Sequence, residues 1–243
     1  MDEDFFLSII IPLYNEEARL INLKVIYRYL NNKQFKWEII LVNDGSEDNT
    51  QKEVEKILKE NSPKNTQLIL YSQNRGKGFA IKTGMLKAKG DYRLFMDIDL
   101  STPIEEFNKF APYLKKFDVI IGSRKKEGSK IIVRQSNLRE KLGEGFTKLS
   151  QAVLQLNTTD FTCGFKCFSK NAAEKIFSKQ GINRWGFDPE IMFLAKKFGF
   201  TVKEVPVKWS NDPRSKVKFP EDIIRSLLDL YKIRSYEFKK KYD

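Results

Sequence analysis

Along the first half of the chain, short unbroken apolar runs alternate with stretches in which apolar residues recur every three or four positions. The runs are strand-length and rich in β-branched residues, as in strands buried on both faces. "FFLSIIIPLYNEE" predicts a first strand stopped by Pro12. Asn15 then caps a helix with Glu16 and Glu17 in its first turn and Leu20, Leu23, Tyr27 and Leu30 at helical spacing. "WEIILVNDGSEDNT" repeats the plan: a strand over Trp37 to Val42, a turn at Asn43-Asp44-Gly45-Ser46 and a helix from Thr50. Further strands are predicted over Gln67 to Tyr71, over Tyr92 to Asp97 and in "FDVIIGSR". Helices are predicted in "NRGKGFAIKTGMLKAKG", closed by Gly90, and from Pro103 at a first helical position. Strand alternating with helix predicts an α/β fold with a mostly parallel central sheet, right-handed crossovers and flanking helices.

After Arg124 the pattern changes. A charged loop, Lys125 to Lys130, leads to a helix over Ser136 to Leu156 with Leu138, Leu142, Phe146, Leu149 and Val153 on one stripe. "TCGFKCFSK" predicts a strand, Asn171 to Ser178 a helix, and "WGFDPEIMFLAKKFG" a turn into a helix ending at Gly199. "FTVKEVPVKW" alternates like a strand, with Pro206 favouring a sheet edge. From Pro220, Phe219, Ile223, Ile224, Leu227, Leu228 and Tyr231 make a second apolar stripe before the basic finish "KIRSYEFKKKYD". Both amphipathic stripes fit core packing, and both fit a helix lying on a membrane surface.

In open parallel sheets, ligands bind beyond the carboxyl ends of the strands. Those ends here carry Pro12-Leu13-Tyr14, Asn43-Asp44-Gly45, Asp97-Ile98-Asp99 and Gly122-Ser123-Arg124. Asp97 and Asp99 follow a buried run and, two apart on a strand, would point the same way. A hard divalent cation, Mg²⁺ or Mn²⁺, would relieve their repulsion and still reach phosphate oxygens. The alternative is a pair of solvated acids, with Asp99 capping the following helix. Asp44 reads equally as a turn residue bonding its own backbone. Arg75, Lys77, Arg124, Arg214 and Lys216 stand near predicted loop ends, where several could meet a pyrophosphate.

Composition narrows the chemistry. The 243 residues contain no histidine, which excludes Ser-His-Asp and Cys-His catalysis and any imidazole base. With only Cys163 and Cys167, a zinc site has too few ligands. The 44 basic against 32 acidic residues give a net charge of +12, which favours phosphates, polyanions or an anionic membrane. Charge alone would also allow a nucleic-acid-binding module. No apolar run approaches the ~20 residues that span a bilayer, and "MDEDFF" opens acidic, so a cytoplasmic chain is expected.

Taken in order, "IIIPLYNEE", "ILVNDGS", "NRGKGFAIKTGM", "MDIDLS" and "IGSR" resemble the family-2 inverting glycosyltransferases of the GT-A fold, whose central sheet is Rossmann-like. The branch most similar loads a sugar onto polyprenyl (dolichyl) phosphate. "DFTCGFKCFSKNAAEKIF", "RWGFDPEIMFLAKKFGFTVKEVPVKW" and "RSK" look closer to dolichyl-phosphate β-glucosyltransferases than to dolichyl-phosphate mannose synthases. The resemblance spans roughly Leu7 to Arg234. It implies one domain over 1–243, with residues 1–124 binding the nucleotide sugar and residues 125–243 binding the acceptor through amphipathic helices.

Carried over, the resemblance implies that Pro12, Tyr14 and Glu16 lie against the nucleoside and Asp44 contacts the base. Arg75, Lys77 and Ile98 would line the nucleotide, and Asp97 and Asp99 would hold Mg²⁺ or Mn²⁺ on the diphosphate. Arg124, Ser215 and Lys216 would receive phosphate charge, Arg139 would meet the acceptor phosphate, and Asp188 would face sugar and acceptor. Asn43 departs from the family by replacing the first acid of its usual Asp-Asp pair. Ser101 replaces a Gln common in mannose synthases, and Arg214 a usual Gly. The implied reaction is metal-dependent transfer of a hexose, with glucose from UDP-glucose expected, to a polyprenyl phosphate at the cytoplasmic membrane face. The chain would attach there peripherally and bind no nucleic acid. Transfer to a saccharide in polysaccharide synthesis, and mannose transfer from GDP-mannose, are the alternatives. A nucleotidyltransferase is disfavoured because "PLYNEE" lacks the glycines of its phosphate loop.

Overall fold

The structure is a computed structural model and describes residues 6–61, 65–214 and 221–243. Its centre is a seven-stranded sheet in the order β3-β2-β1-β4-β7-β5-β8. The strands are β1 (Phe6–Leu13), β2 (Lys36–Asp44), β3 (Thr66–Tyr71), β4 (Tyr92–Met96), β5 (Val119–Ser123), β7 (Phe165–Ser169) and β8 (Val202–Pro206). A separate pair joins β6 (Lys130–Val133) and β9 (Lys208–Ser210). The helices are α1 (Leu23–Asn31), α2 (Thr50–Asn61), α3 (Lys77–Lys87), α4 (Phe107–Phe110), α5 (Asn137–Leu154), α6 (Lys170–Lys179), α7 (Phe187–Lys197) and α8 (Glu221–Phe238).

Alternation along β1 explains the layering. Leu7, Ile9, Ile11 and Leu13 enter one core with Leu20, Ile26, Leu30 and Phe107. Ile10 enters the other with Ala80, Ile81, Phe187 and Ile191. Each such fully buried side chain contributes about 1.5–3 kcal/mol. Helix α3 lies close to β1 and β2 because residue 84 is glycine: a Cβ there would press on Ile10 and come within 3.2 Å of Val42.

Three local expectations are corrected. Asn15 does not cap a helix; it is left-handed (φ 52°), and its side chain accepts from the Glu47 backbone N–H instead. The chain then makes a 3-10 turn, Glu17–Asn22, before α1. The helix expected from Pro103 is broken into a 3-10 turn, the four-residue α4 and a second 3-10 turn whose early Pro112 cannot continue an α-helix. Asp97 and Asp99 are not on a strand, since β4 ends at Met96 and a turn with left-handed Leu100 (φ 54°) follows.

The two apolar stripes are partly core and partly outward: on α5, Phe146 and Val153 pack against the core. On α5, Thr147, Ser150 and Leu154 are buried, whereas Leu138 is 62% exposed. On α8, Ser226, Asp229, Leu230 and Ile233 face inward, while Ile224, Leu227, Leu228 and Tyr231 face out. Phe219 lies outside the described residues. Among the described residues no helix is long and apolar enough to cross a membrane.

The strand "TCGFKCFSK" exists as β7, but it runs antiparallel to both neighbours. Strands β1, β2, β4 and β5 remain parallel, so their carboxyl ends share one edge. β8 lies at the sheet edge, as Pro206 requires.

Candidate active site

At that edge the ends of β1 and β2 are tied together by side chains. Asn15 donates its backbone N–H to Ser46 Oγ at 2.9 Å, and Glu16 donates its own to Thr50 Oγ1 at 2.7 Å. Pro12, Tyr14 and Glu16 are half-buried along this seam. The Glu16 carboxylate meets Arg19 at 2.7 Å, and Arg19 also reaches Asp212 and the Arg214 carbonyl. Asp44 is 2% exposed, and its carboxylate accepts the backbone N–H of Arg75 and Gly76, each at 2.8 Å, and Asn74 Nδ2 at 2.9 Å. Burial pushes its pKa up, partly countered by those N–H donors. Asp44 thus shapes the loop that presents Arg75, which is exposed and stacks over Phe79 at 3.5 Å.

Lys77 opens α3 and places its ammonium 2.6 Å from Asp97 Oδ1. Burial alone would lower its pKa, but the charges of Asp97, Asp188 and Asp99 outweigh that and raise it. Asp99 accepts the Ser101 backbone N–H at 2.8 Å, and burial followed by the Asp97 charge raises its pKa. Two carboxylates near enough to perturb each other, with only hard oxygen donors, fit Mg²⁺ or Mn²⁺. Gly164 borders this cradle, because a Cβ there would overlap Asp97 Oδ2. Among the described residues no cluster of three acidic, cysteine or histidine ligands occurs. The Ile98 side chain is buried in the core, and its carbonyl accepts from Asn22 Nδ2 at 2.9 Å.

Arg124, just past β5, is clamped by Asp160: Nε and Nη2 donate at 2.7 and 2.6 Å, and the backbone N–H at 2.9 Å. Nη2 also donates to Thr162, and the guanidinium stands 5.2 Å from the Trp209 ring. Burial would raise the Asp160 pKa, yet Arg124 overrides it and holds it at about 2. Asp188, in the first turn of α7, is 6% exposed and pairs with Lys166, itself 0% exposed. Burial raises the Asp188 pKa, against the opposing pull of Lys166 and Lys77. Arg139 lies in the first turn of α5, half-buried. Ser215 and Lys216 fall outside the described residues.

The family described as Glycosyl transferase family 2 matches residues 8–177, more than half of the chain. The chain belongs to glycosyl transferase family 2. This glycosyltransferase is 35% identical over 256 residues to a dolichyl-phosphate beta-glucosyltransferase of Dictyostelium discoideum, covering 96% of the chain and 78% of that relative. It is also 35% identical over 251 residues to one of Saccharomyces cerevisiae, covering 96% and 75%. A glucosyl-3-phosphoglycerate synthase from Mycobacterium tuberculosis, solved with Mn²⁺, uridine diphosphate and glucosyl-3-phosphoglycerate, superposes with a TM-score of 0.64. Identity to it is 16% over 94% of this chain and 80% of that one, so it shows the shared GT-A fold.

Sequence reasoning missed three residues of this glycosyltransferase: Asp160, Gly164 and Lys166. Asp160 and Gly164 lie in the run leading into β7 and Lys166 in β7 itself, which brings one residue under Arg124, one beside Asp97 and one under Asp188. The available signal was density: an acid, a glycine and a lysine within seven residues of an apolar stretch.

Proposed function

We propose that this glycosyltransferase moves glucose from UDP-glucose to dolichyl phosphate, with inversion, at the cytoplasmic face of a membrane. The observation that carries the reading is the Asp97–Asp99–Lys77 cluster at the sheet edge of a chain 35% identical to dolichyl-phosphate β-glucosyltransferases over almost its whole length. Asp97 and Asp99 would hold Mg²⁺ or Mn²⁺, which supplies charge neutralisation for the departing diphosphate. Pro12, Tyr14, Glu16 and the loop braced by Asp44 would cradle the nucleoside, with Arg75 and Lys77 along the phosphates. Arg124, held rigid by Asp160, would place positive charge where the leaving group gains negative charge without reorganising. Arg139, Ser215 and Lys216 would receive the acceptor phosphate. That phosphate is an anion at neutral pH and attacks without a strong base, which suits an Asp188 already engaged by a lysine. The outward apolar residues of α5 and α8, with the +12 charge, support a membrane-surface position for these helices.

The test incubates the protein with labelled UDP-glucose, dolichyl phosphate and Mn²⁺, followed by organic extraction. Glucose label should enter the lipid phase, and replacing Asp97 and Asp99 with Ala should abolish both transfer and manganese-dependent UDP uptake by calorimetry. Label confined to the aqueous phase, or transferred only from GDP-mannose, overturns the reading.

A further inference from the structure

Lys166 is a cation in the middle of a sheet. It lies between Phe95 of β4 and Ile121 of β5, the register partners of its strand, and is 0% exposed. Its ammonium donates to the Cys163 carbonyl at 2.7 Å and to Asp188 Oδ1, and stands 5.2 Å from the centre of the Phe95 ring. Burying an ammonium and a carboxylate costs several kcal/mol of solvation per ion, and an apolar pair of equal volume is commonly as stable or more so. Stability alone therefore does not account for the pair.

Its placement does. Asp188 pairs directly with Lys166 and also feels the charges of Lys77, Asp97 and Arg124, with Lys77 itself bound to the Asp97 carboxylate. The Cys163 carbonyl fixes the ammonium from a second direction. The orientation of Asp188 is therefore set from the sheet as well as from α7.

We infer that Lys166 is a positioning residue, which fixes the direction of the Asp188 carboxylate near the Lys77–Asp97 pair. The inference rests on the glucosyl transfer proposed above. A carboxylate held in this way accepts hydrogen bonds from sugar hydroxyls and favours the positive charge that grows on the anomeric carbon as the diphosphate departs. Lys166 itself touches no substrate and acts only through Asp188.

Such an arrangement is read by a double-mutant cycle: wild type, Asp188→Asn, Lys166→Met and the double variant, each assayed for kcat and donor KM and for Tm. Asp188→Asn should lower kcat about a hundredfold with donor KM within about threefold. Lys166→Met should lower kcat to a similar degree and also lower Tm, because it strands a buried carboxylate. The double variant should match Asp188→Asn in rate and regain Tm. Should Lys166→Met fail to fold, the comparison of the double variant with Asp188→Asn decides. A further loss of tenfold or more in the double variant overturns the inference, since Lys166 would then act independently of Asp188. So does a folded Lys166→Met with wild-type kcat. A wild type that transfers no glucose to lipid overturns the proposed function, and this inference with it.

Discussion

The position of Asp97 depends on a methyl group that is not there. A Cβ on Gly164 would lie 2.9 Å from Asp97 Cγ and closer still to Oδ2, so Gly164→Ala forces that carboxylate to turn. Manganese-dependent UDP uptake, measured by calorimetry, should weaken by about tenfold or more, since a displaced ligand loses most of its contribution. Tm should fall only slightly, because Asp97 is one-third exposed and has room to move. The contrasting substitution is Gly143→Ala on α5, where a Cβ meets nothing within 4 Å. It should stabilise the protein by about 1 kcal/mol in a urea titration, the usual gain of alanine over glycine in a helix interior. Neither outcome was legible in the sequence. "GFK" reads as the start of a strand, and only the antiparallel course of β7 puts its glycine against a turn more than sixty residues away in the chain. Asp97 and Asp99 were legible as a pair, but for a reason the structure replaces: a turn after β4 brings them together, not the alternation of a strand.

Among the elements, the alternating first half was the most legible, because each parallel strand is covered on both faces and must be uniformly apolar. The second half was less so. The register of β6 with β9 rests on three paired positions, too few to leave a pattern. The stripes of α5 and α8 were visible, but amphipathicity does not say which solvent the apolar face meets. On α8 the answer is outward: Ile224, Leu228 and Tyr231 are 55%, 57% and 74% exposed. If that face contacts lipid, Leu228→Glu with Tyr231→Glu should cut co-flotation with anionic vesicles at least tenfold while leaving Tm unchanged. Neutralising the exposed Lys239, Lys240 and Lys241 should weaken flotation by about 1 kcal/mol per charge and only where anionic lipid is present. Flotation that survives both changes would remove the membrane reading from these helices.

At the scale of the whole molecule, one ion pair sets an acid limit. The folded Asp160 carboxyl sits at about 2, below its ordinary 3.8, so the unfolded chain binds more protons between those values. Its contribution, about 2 kcal/mol, is complete above that window and is lost as pH falls from about 4 towards 2. Urea midpoints should therefore show Asp160→Asn clearly less stable than wild type at pH 7, with the gap closing near pH 2. A gap independent of pH would mean that Arg124 does not supply the stabilisation. The same short run that holds Asp160 also carries Gly164 and ends on Lys166, the second residue of β7, where a shift of one residue exchanges the two faces. Inserting or deleting a single residue between Gly164 and Lys166 would thus turn Lys166 away from Asp188 or move Gly164 off Asp97. Length variation among descendants of this chain is tolerable in the outer loops and least tolerable there.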